Sequence, residues 1–154
     1  MSRNFVYRSD RKLQNMASDR TDLSNKDFSM QDLSNTSLVG ALLVNTNFQQ
    51  SILFETNFSK ADLTGSNFID ANLFGSKMIQ TILVNSKMKG ATLVGANFSN
   101  ANMSGADLSN ADLTRANFYK ANLSGANLSG VKLGQADFSE CNLTGAILPP
   151  NFKS

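Results

Sequence analysis

Large apolar residues recur at every fifth position along most of this chain. Reading every fifth residue from Leu23 to Leu148 gives 26 positions, and each of them is Leu, Phe or Met. We call these the centre residues of the repeats. The residue two positions earlier is Ala, Ser or Thr in nearly every copy, and the residue between them favours Asn or Asp. An α-helix turns about 500° over five residues, and a flat strand sends alternate copies to opposite faces. The period therefore predicts a chain that bends once per repeat around one interior, which is a solenoid.

The number of repeats in one coil follows from residues that should stack and resemble each other. When the centre residues are sorted in steps of four repeats, the columns from Leu23 and Leu33 hold only Leu and one Met. The columns from Phe28 and Leu38 hold seven Phe. The residue two positions after each centre should form the corner between two sides. The corner column that begins at Asn25 holds only Asn and Gly, which adopt positive φ most easily, as a type II turn requires. The other three corner columns are mixed. A four-sided coil of four five-residue repeats explains both observations.

The repeat resembles the pentapeptide-repeat proteins. Segments such as Ala61-Asp62-Leu63-Thr64-Gly65 match the A(D/N)LxX signature of that family, and the resemblance covers residues 21–148. It implies an all-β fold, a right-handed quadrilateral parallel β-helix, with the centre residue and the small residue inside and the other three outside. At four repeats per coil the chain makes about 6.5 coils. At about 4.8 Å per coil this gives a rod of about 30 Å.

The two ends of the repeat region are expected to differ from it. Residues 1–20 form an N-terminal cap or tail, in which residues 9–17 are either a short helix over the first coil or a disordered basic tail. Residues 149–154 form a short C-terminal tail. Pro149 and Pro150 end the repeat because proline cannot donate to another rung, which leaves Phe152 to cover the last coil.

The inner small position changes character along the chain. From residue 91 onward it is Ala except at Val131 and Cys141, whereas earlier copies hold mostly Ser and Thr, with Lys26 and Gln31 as exceptions. Buried hydroxyls need backbone partners. We therefore predict a less regular N-terminal half and a frayed first coil at Lys26 and Gln31.

Residues suited to catalysis are scarce. The chain has no His, so His-based triads and zinc–His sites are excluded. Cys141 occupies an inward position and replaces an alanine, while Asp107 and Asp112 should point to solvent from adjacent sides. A filled core leaves no room for a substrate. The sequence thus predicts no enzyme activity, no cofactor and no metal site. It contains neither an apolar run of about 18 residues nor an apolar signal core, so we expect no membrane span and a cytoplasmic location.

Charge bears on a second functional hypothesis. The resemblance includes DNA-mimicking proteins of the quinolone-resistance type, which bind topoisomerases such as gyrase as acidic rods. A duplex mimic needs dense negative charge. Here the net charge is +2 and lysines are scattered through the repeats, so gyrase binding is kept as the alternative. Direct nucleic-acid binding is not expected, because acidic residues interrupt the basic N-terminus.

Outward apolar residues are concentrated between residues 39 and 94, where the repeats are least uniform. Phe54, Phe74 and Val94 are spaced by four repeats and should stack on one face, with Ile52 beside them. This pattern predicts a protein-binding or self-association surface. The alternative is that these are ordinary exposed apolar residues without a function. The resulting hypothesis is a monomeric or weakly dimeric scaffold that binds an unidentified protein. A structural spacer without a specific partner is a further possibility.

Overall fold

The computed structural model describes residues 21–153, and the backbone of this part pairs with itself at a constant interval. Parallel bridges join Asp22 to Leu42 and continue in steps of one repeat to the pair of Asn127 and Ile147. The two members of every pair are four repeats apart, as the sorted columns predict. The described part is therefore an all-β parallel solenoid with four repeats in each coil.

Each repeat contributes one residue to this pairing, the one just before its large centre residue. The N–H of a centre residue donates to a carbonyl in the next coil, as that of Leu43 does to Asp62 at 2.7 Å. The corner N–H makes a similar bond, as that of Asn45 does to Thr64 at 2.8 Å. Between residues 21 and 153 the chain consequently has no helix and no strand longer than a single bridge residue.

Four sides follow from this register, and we name them by their centre residues. Side A has the centre column that begins at Leu23, side B the column from Phe28, side C the column from Leu33 and side D the column from Leu38. Sides A and C are opposite each other, as are sides B and D. Side chains just before and just after each centre face outward.

The interior is filled by the centre residues and the small residues two positions before them. All centre residues from Leu43 to Leu128 are fully buried. The rings of Phe48 and Phe68 stack on side B with their centroids 4.9 Å apart, and Phe58 on side D meets Phe68 edge-on at 6.0 Å. The predicted placement of Phe on two opposing sides is confirmed. Each of these buried side chains contributes about 1.5–3 kcal/mol to folding.

Every corner from Asn25 to Gly145 has a positive φ, between +53° and +71°. The expectation of positive φ in the Asn and Gly column is confirmed, and the conformation extends beyond that column. All four corner columns share the conformation, and 16 of these residues are not glycine, Met30 and Lys60 among them. At the corners that are not glycine, the hydrogen-bonded ladder holds a left-handed conformation that most side chains disfavour.

The backbone of the first coil pairs in the same register as the coils that follow, although the buried Oε1 of Gln31 has no hydrogen-bond partner in the described part. The N–H of Leu23 donates to the carbonyl of Leu42 at 2.8 Å, and the N–H of Lys26 closes the turn to Leu23 at 3.3 Å. The lysine side chain is exposed. Most inner hydroxyls donate to backbone carbonyls that face the interior, as that of Thr46 does to Leu23 at 3.1 Å. For the backbone, the predictions of a frayed first coil and of a less regular N-terminal half are therefore wrong.

The irregular end is the C-terminal one. The centre residues Leu133, Phe138 and Leu143 are only partly buried. Phe152 packs edge-on against Phe138 at 5.2 Å, and its N–H donates to the carbonyl of Pro149 at 3.0 Å. The prediction that Phe152 covers the last coil is confirmed, although the cover is partial.

The hypotheses about residues 1–20, a short helix or a basic tail, lie outside the described residues. None of the described residues forms a helix with the length and apolarity that a membrane crossing needs.

Candidate interaction surface

The outward apolar residues predicted on one face are brought together on side C. Ile52, Phe54 and Phe74 expose 46%, 36% and 42% of their surface and lie on one face, and it is this grouping of exposed apolar side chains that marks the surface. Val94 lies next in the column of Phe54 and Phe74 and is half-buried. We call these four residues the apolar stripe.

Backbone bonds fix the spacing of the stripe. The N–H of Glu55 donates to the carbonyl of Phe74 at 2.9 Å, and the N–H of Gly75 donates to that of Val94 at 2.9 Å. The rings of Phe54 and Phe74 stack with centroids 5.4 Å apart and planes 8° from parallel. The stripe is therefore a preformed surface whose rings are held by the ladder.

Acidic residues border the apolar stripe. Asp32 pairs with Ile52 in the coil below, while Glu55 and Asp70 stand at the two corners of side C. The Cγ of Glu55 lies 3.3 Å from where a Cβ at Gly75 would be, and a carboxylate oxygen of Asp70 fills the space over Gly90. Both acidic side chains thus lean toward the coils that carry Phe74 and Val94.

No lysine or arginine lies on side C or at its corners between residues 30 and 95. The basic residues of these coils are elsewhere: Lys77 is on side D, Lys87 and Lys89 are on side B, and Lys60 is at the corner between sides D and A. Charged residues on side C and at its corners in these coils are therefore all acidic, while the exposed Lys77 and Lys89 lie just beyond the corners at Gly75 and Gly90.

A second group of outward apolar residues lies on side A, opposite the apolar stripe. Leu42 and Ile82 are 37% and 42% exposed, and Val44 and Val84 are half-buried beside them. Asp62 pairs with both Leu42 and Ile82 and separates them. Sequence reasoning noted these residues singly but did not group them; their separation by exactly two coils was the available signal.

The candidate catalytic groups have structural roles. Oδ1 of Asp107 accepts the N–H of Ser109 at 3.0 Å, and Oδ1 of Asp112 accepts that of Thr114 at 3.0 Å. Both carboxylates are partly exposed, on adjacent sides of a coil. In the described part, no group of three or more His, Cys, Asp or Glu could hold a metal ion.

Cys141 has the environment expected for a residue that replaces alanine. Its thiol is half-buried and donates to the carbonyl of Phe118 at 2.7 Å. Burial raises the pKa of the Cys141 thiol to about 11. A thiol with this pKa holds little thiolate at neutral pH and is a poor nucleophile.

The sequence matches the family model for pentapeptide repeats in overlapping segments that together run from residue 19 to residue 149. The chain belongs to the pentapeptide-repeat family. This agrees with the coil of four five-residue repeats. A search of curated proteins finds no match.

Several pentapeptide-repeat proteins of known structure are similar to the chain. HetL, a protein involved in heterocyst differentiation regulation from the cyanobacterium Nostoc sp. strain PCC 7120, is 22% identical with a TM-score of 0.49, over 86% of this chain and 85% of HetL. QnrB1, a plasmid-mediated fluoroquinolone resistance protein, is 22% identical with a TM-score of 0.45, over 86% and 83% of the two chains. A protein from the Arabidopsis thaliana thylakoid lumen is 28% identical with a TM-score of 0.35, over 73% and 67%.

Proposed function

We propose that this pentapeptide-repeat protein is a non-enzymatic interaction module that binds another protein through the apolar stripe. The observation that supports this most directly is the stacked pair Phe54 and Phe74, exposed on a rigid face. Contiguous exposed apolar surface is typical of protein-binding sites, and aromatic residues contribute most to such interfaces. A cytoplasmic location stays a prediction from the sequence.

The shape of the molecule suits this role. We infer a right-handed rod of about 6.5 coils, in which the stripe is presented without conformational rearrangement. Preformed surfaces lose less conformational entropy on binding than flexible loops do. In the role proposed here, the protein therefore acts as a scaffold that holds its partner in a fixed orientation.

The proposal is tested by replacing Phe54 and Phe74 together with Ser. Immobilised wild-type protein should retain a partner from an extract of the source organism, and the double variant should lose it. Both side chains are outward, so the variant should keep the fold. The matched control is the replacement of Leu42 and Ile82 with Ser, because these side chains are about equally exposed on the opposite side. Retention by the Phe54 and Phe74 variant at the wild-type level would contradict the proposal.

The alternative function, a DNA-mimicking gyrase-binding protein, has a separate test. Acidic and basic residues are interspersed on the described surface, where Asp112 pairs with Lys132 and Glu140 with Lys120, both at 3.5 Å. A duplex mimic needs dense negative charge instead. We expect no protection of gyrase supercoiling against a quinolone at any stoichiometry; protection at low stoichiometry would favour the alternative.

A further inference from the structure

We propose that the apolar stripe binds a basic amphipathic helix of a partner protein. This inference rests on the proposed function and specifies the chemistry of its partner. Its two parts are the negative border of the stripe and the axial spacing of its rings.

The negative border selects for positive charge at both margins of the bound segment. Glu55 stands at one corner of side C and Asp70 at the other, and both lean toward the coils of Phe74 and Val94. Asp32 lies directly below Ile52. A partner with apolar residues in the middle and Lys or Arg on both edges would place opposite charges together at both margins of the stripe.

The axial spacing fits a helix that lies along the rod. The ring centroids of Phe54 and Phe74 are 5.4 Å apart on coils that rise about 4.8 Å each, and one turn of an α-helix rises about 5.4 Å, so the two repeats stay nearly in step over three coils. Val94 continues the column by one more coil. Apolar residues at positions i, i+4 and i+7 of a helix therefore meet three successive coils, which is the pattern of an amphipathic helix on a hydrophobic surface.

The same border disfavours two other occupants. A second copy of this chain, docked stripe to stripe, would bring its Glu55 and Asp70 against those of the first copy. An anionic lipid surface would be repelled in the same way. The acidic border thus favours a basic protein segment over a second copy of the chain and over an anionic membrane.

The test uses two helical peptides of about 14 residues. Both carry Leu at i, i+4 and i+7; one has Lys along both margins and the other has Glu. Binding to the full chain is measured by fluorescence anisotropy. We expect the Lys peptide to bind at least about 10-fold more tightly than the Glu peptide, with the difference shrinking as salt is raised.

Variants assign the effect to the two parts of the surface. Glu55→Gln with Asp70→Asn should weaken binding of the Lys peptide about 3- to 10-fold and leave the Glu peptide no weaker. Phe54→Ser with Phe74→Ser should abolish binding of both peptides. The control Leu42→Ser with Ile82→Ser should bind as the wild type does.

Several results would overturn the inference. These are equal affinity for the two peptides, no binding of the Lys peptide at millimolar concentration, or an unchanged affinity in the Glu55 and Asp70 variant. Stripe-dependent dimerisation in sedimentation, or stripe-dependent binding to phosphatidylserine vesicles, would overturn it in favour of those occupants. If partner capture still depends on Phe54 and Phe74 in any of these cases, the proposed function stands and only the partner class is wrong.

Discussion

Buried hydroxyls of the inner column show how single residues fit this core. The hydroxyls of Thr56 and Thr81 donate to the carbonyls of Leu33 and Phe58 in the preceding coil, at 2.9 and 3.0 Å. Ser66 reaches two carbonyls. The hydroxyls of Ser76 and Ser86 are equally buried but have no partner in the described part. The prediction that all inner hydroxyls find partners holds for most of them and is wrong for these two.

Replacing Ser76 or Ser86 with Ala should therefore stabilise the protein. An unpaired buried hydroxyl costs about 1–3 kcal/mol, and many neighbouring coils already hold Ala at the inner position. We expect each substitution to raise the free energy of unfolding, measured by urea titration, by about 1 kcal/mol. Ser66→Ala is the control. It should lower the free energy of unfolding or leave it unchanged, because it removes the two hydrogen bonds that the Ser66 hydroxyl donates. A loss of stability in both the Ser76 and Ser86 variants would contradict this account.

Inside and outside positions could be predicted from the sequence at this scale, because a period of five allows only one interior. Val131 and Cys141 illustrate the rule: both lie at inner positions, and the structure places Val131 in the core and Cys141 against it. Which hydroxyls are satisfied could not be predicted. Ser66 and Ser86 belong to the same column, and their different bonding depends on side-chain rotamers that the repeat does not encode.

At the scale of the coil, the corner is the element whose local preference conflicts most with the fold. Gln80 and Lys120 have φ of +58°, where residues other than Gly, Asn and Asp are uncommon. Sequence reasoning tied positive φ to the Asn and Gly column because it relied on local propensity. The ladder overrides that propensity at all four corners, which is a long-range effect.

A pair of corner substitutions tests this conflict. Gln80→Gly should raise the free energy of unfolding by about 0.5–1 kcal/mol, because the relief of left-handed strain exceeds the entropy that glycine adds to the unfolded chain. Gly125→Ala should lower it by a similar amount, since a Cβ at Gly125 would meet nothing within 4 Å and only the backbone strain changes. Urea unfolding measures both. Changes of the same sign would show that the corners are not strained.

The position of the apolar stripe could be predicted from the sequence, but the directions of the acidic side chains beside it could not. The four-repeat step alone places Phe54, Phe74 and Val94 in one column, and the ring stack confirms the first two as neighbours. The register also places Glu55 and Asp70 at the corners of side C, but their lean over glycines of the next coil depends on side-chain conformation and could not be inferred from the pattern.

At the scale of the whole molecule, aspartates on the outer faces couple stability to pH. Five of them accept hydrogen bonds from the Ser or Thr two residues later, and these bonds hold their pKa values below the usual range; they are Asp22, Asp27, Asp32, Asp112 and Asp137. The backbone N–H is the largest cause at Asp22, and the hydroxyl is the largest at the other four.

The sign of the pH dependence follows from the lowered pKa values. Unfolded aspartates titrate near pH 3.9, at about their reference value. The contribution of the five to stability is therefore fully present above that pH and is lost as the pH falls through their lower folded values. We expect the free energy of unfolding, measured in urea, to decline between about pH 5 and pH 2.

Replacing the five aspartates with Asn should flatten this decline. Asn can accept the same backbone bond, as Asn97 does from Ser99 at 3.0 Å, so the fold should persist. The difference in stability between the wild type and the variant should shrink in acid. An identical pH profile for the two proteins would mean that these hydrogen bonds do not stabilise the charged carboxylates.

Because pairing always joins residues four repeats apart, the interior and the surface of the rod tolerate insertions and deletions of different lengths. A duplication or loss of one repeat keeps inner positions inside, yet it turns everything beyond it by a quarter turn around the rod and moves later Phe centres onto the sides that hold Leu. If such an insertion fell between Phe54 and Phe74, the two rings would leave their shared column and face different directions. A whole coil can be gained or lost with the faces still aligned, so evolutionary change in length should proceed by pairs of repeats where only the core matters and by fours where a face has a use.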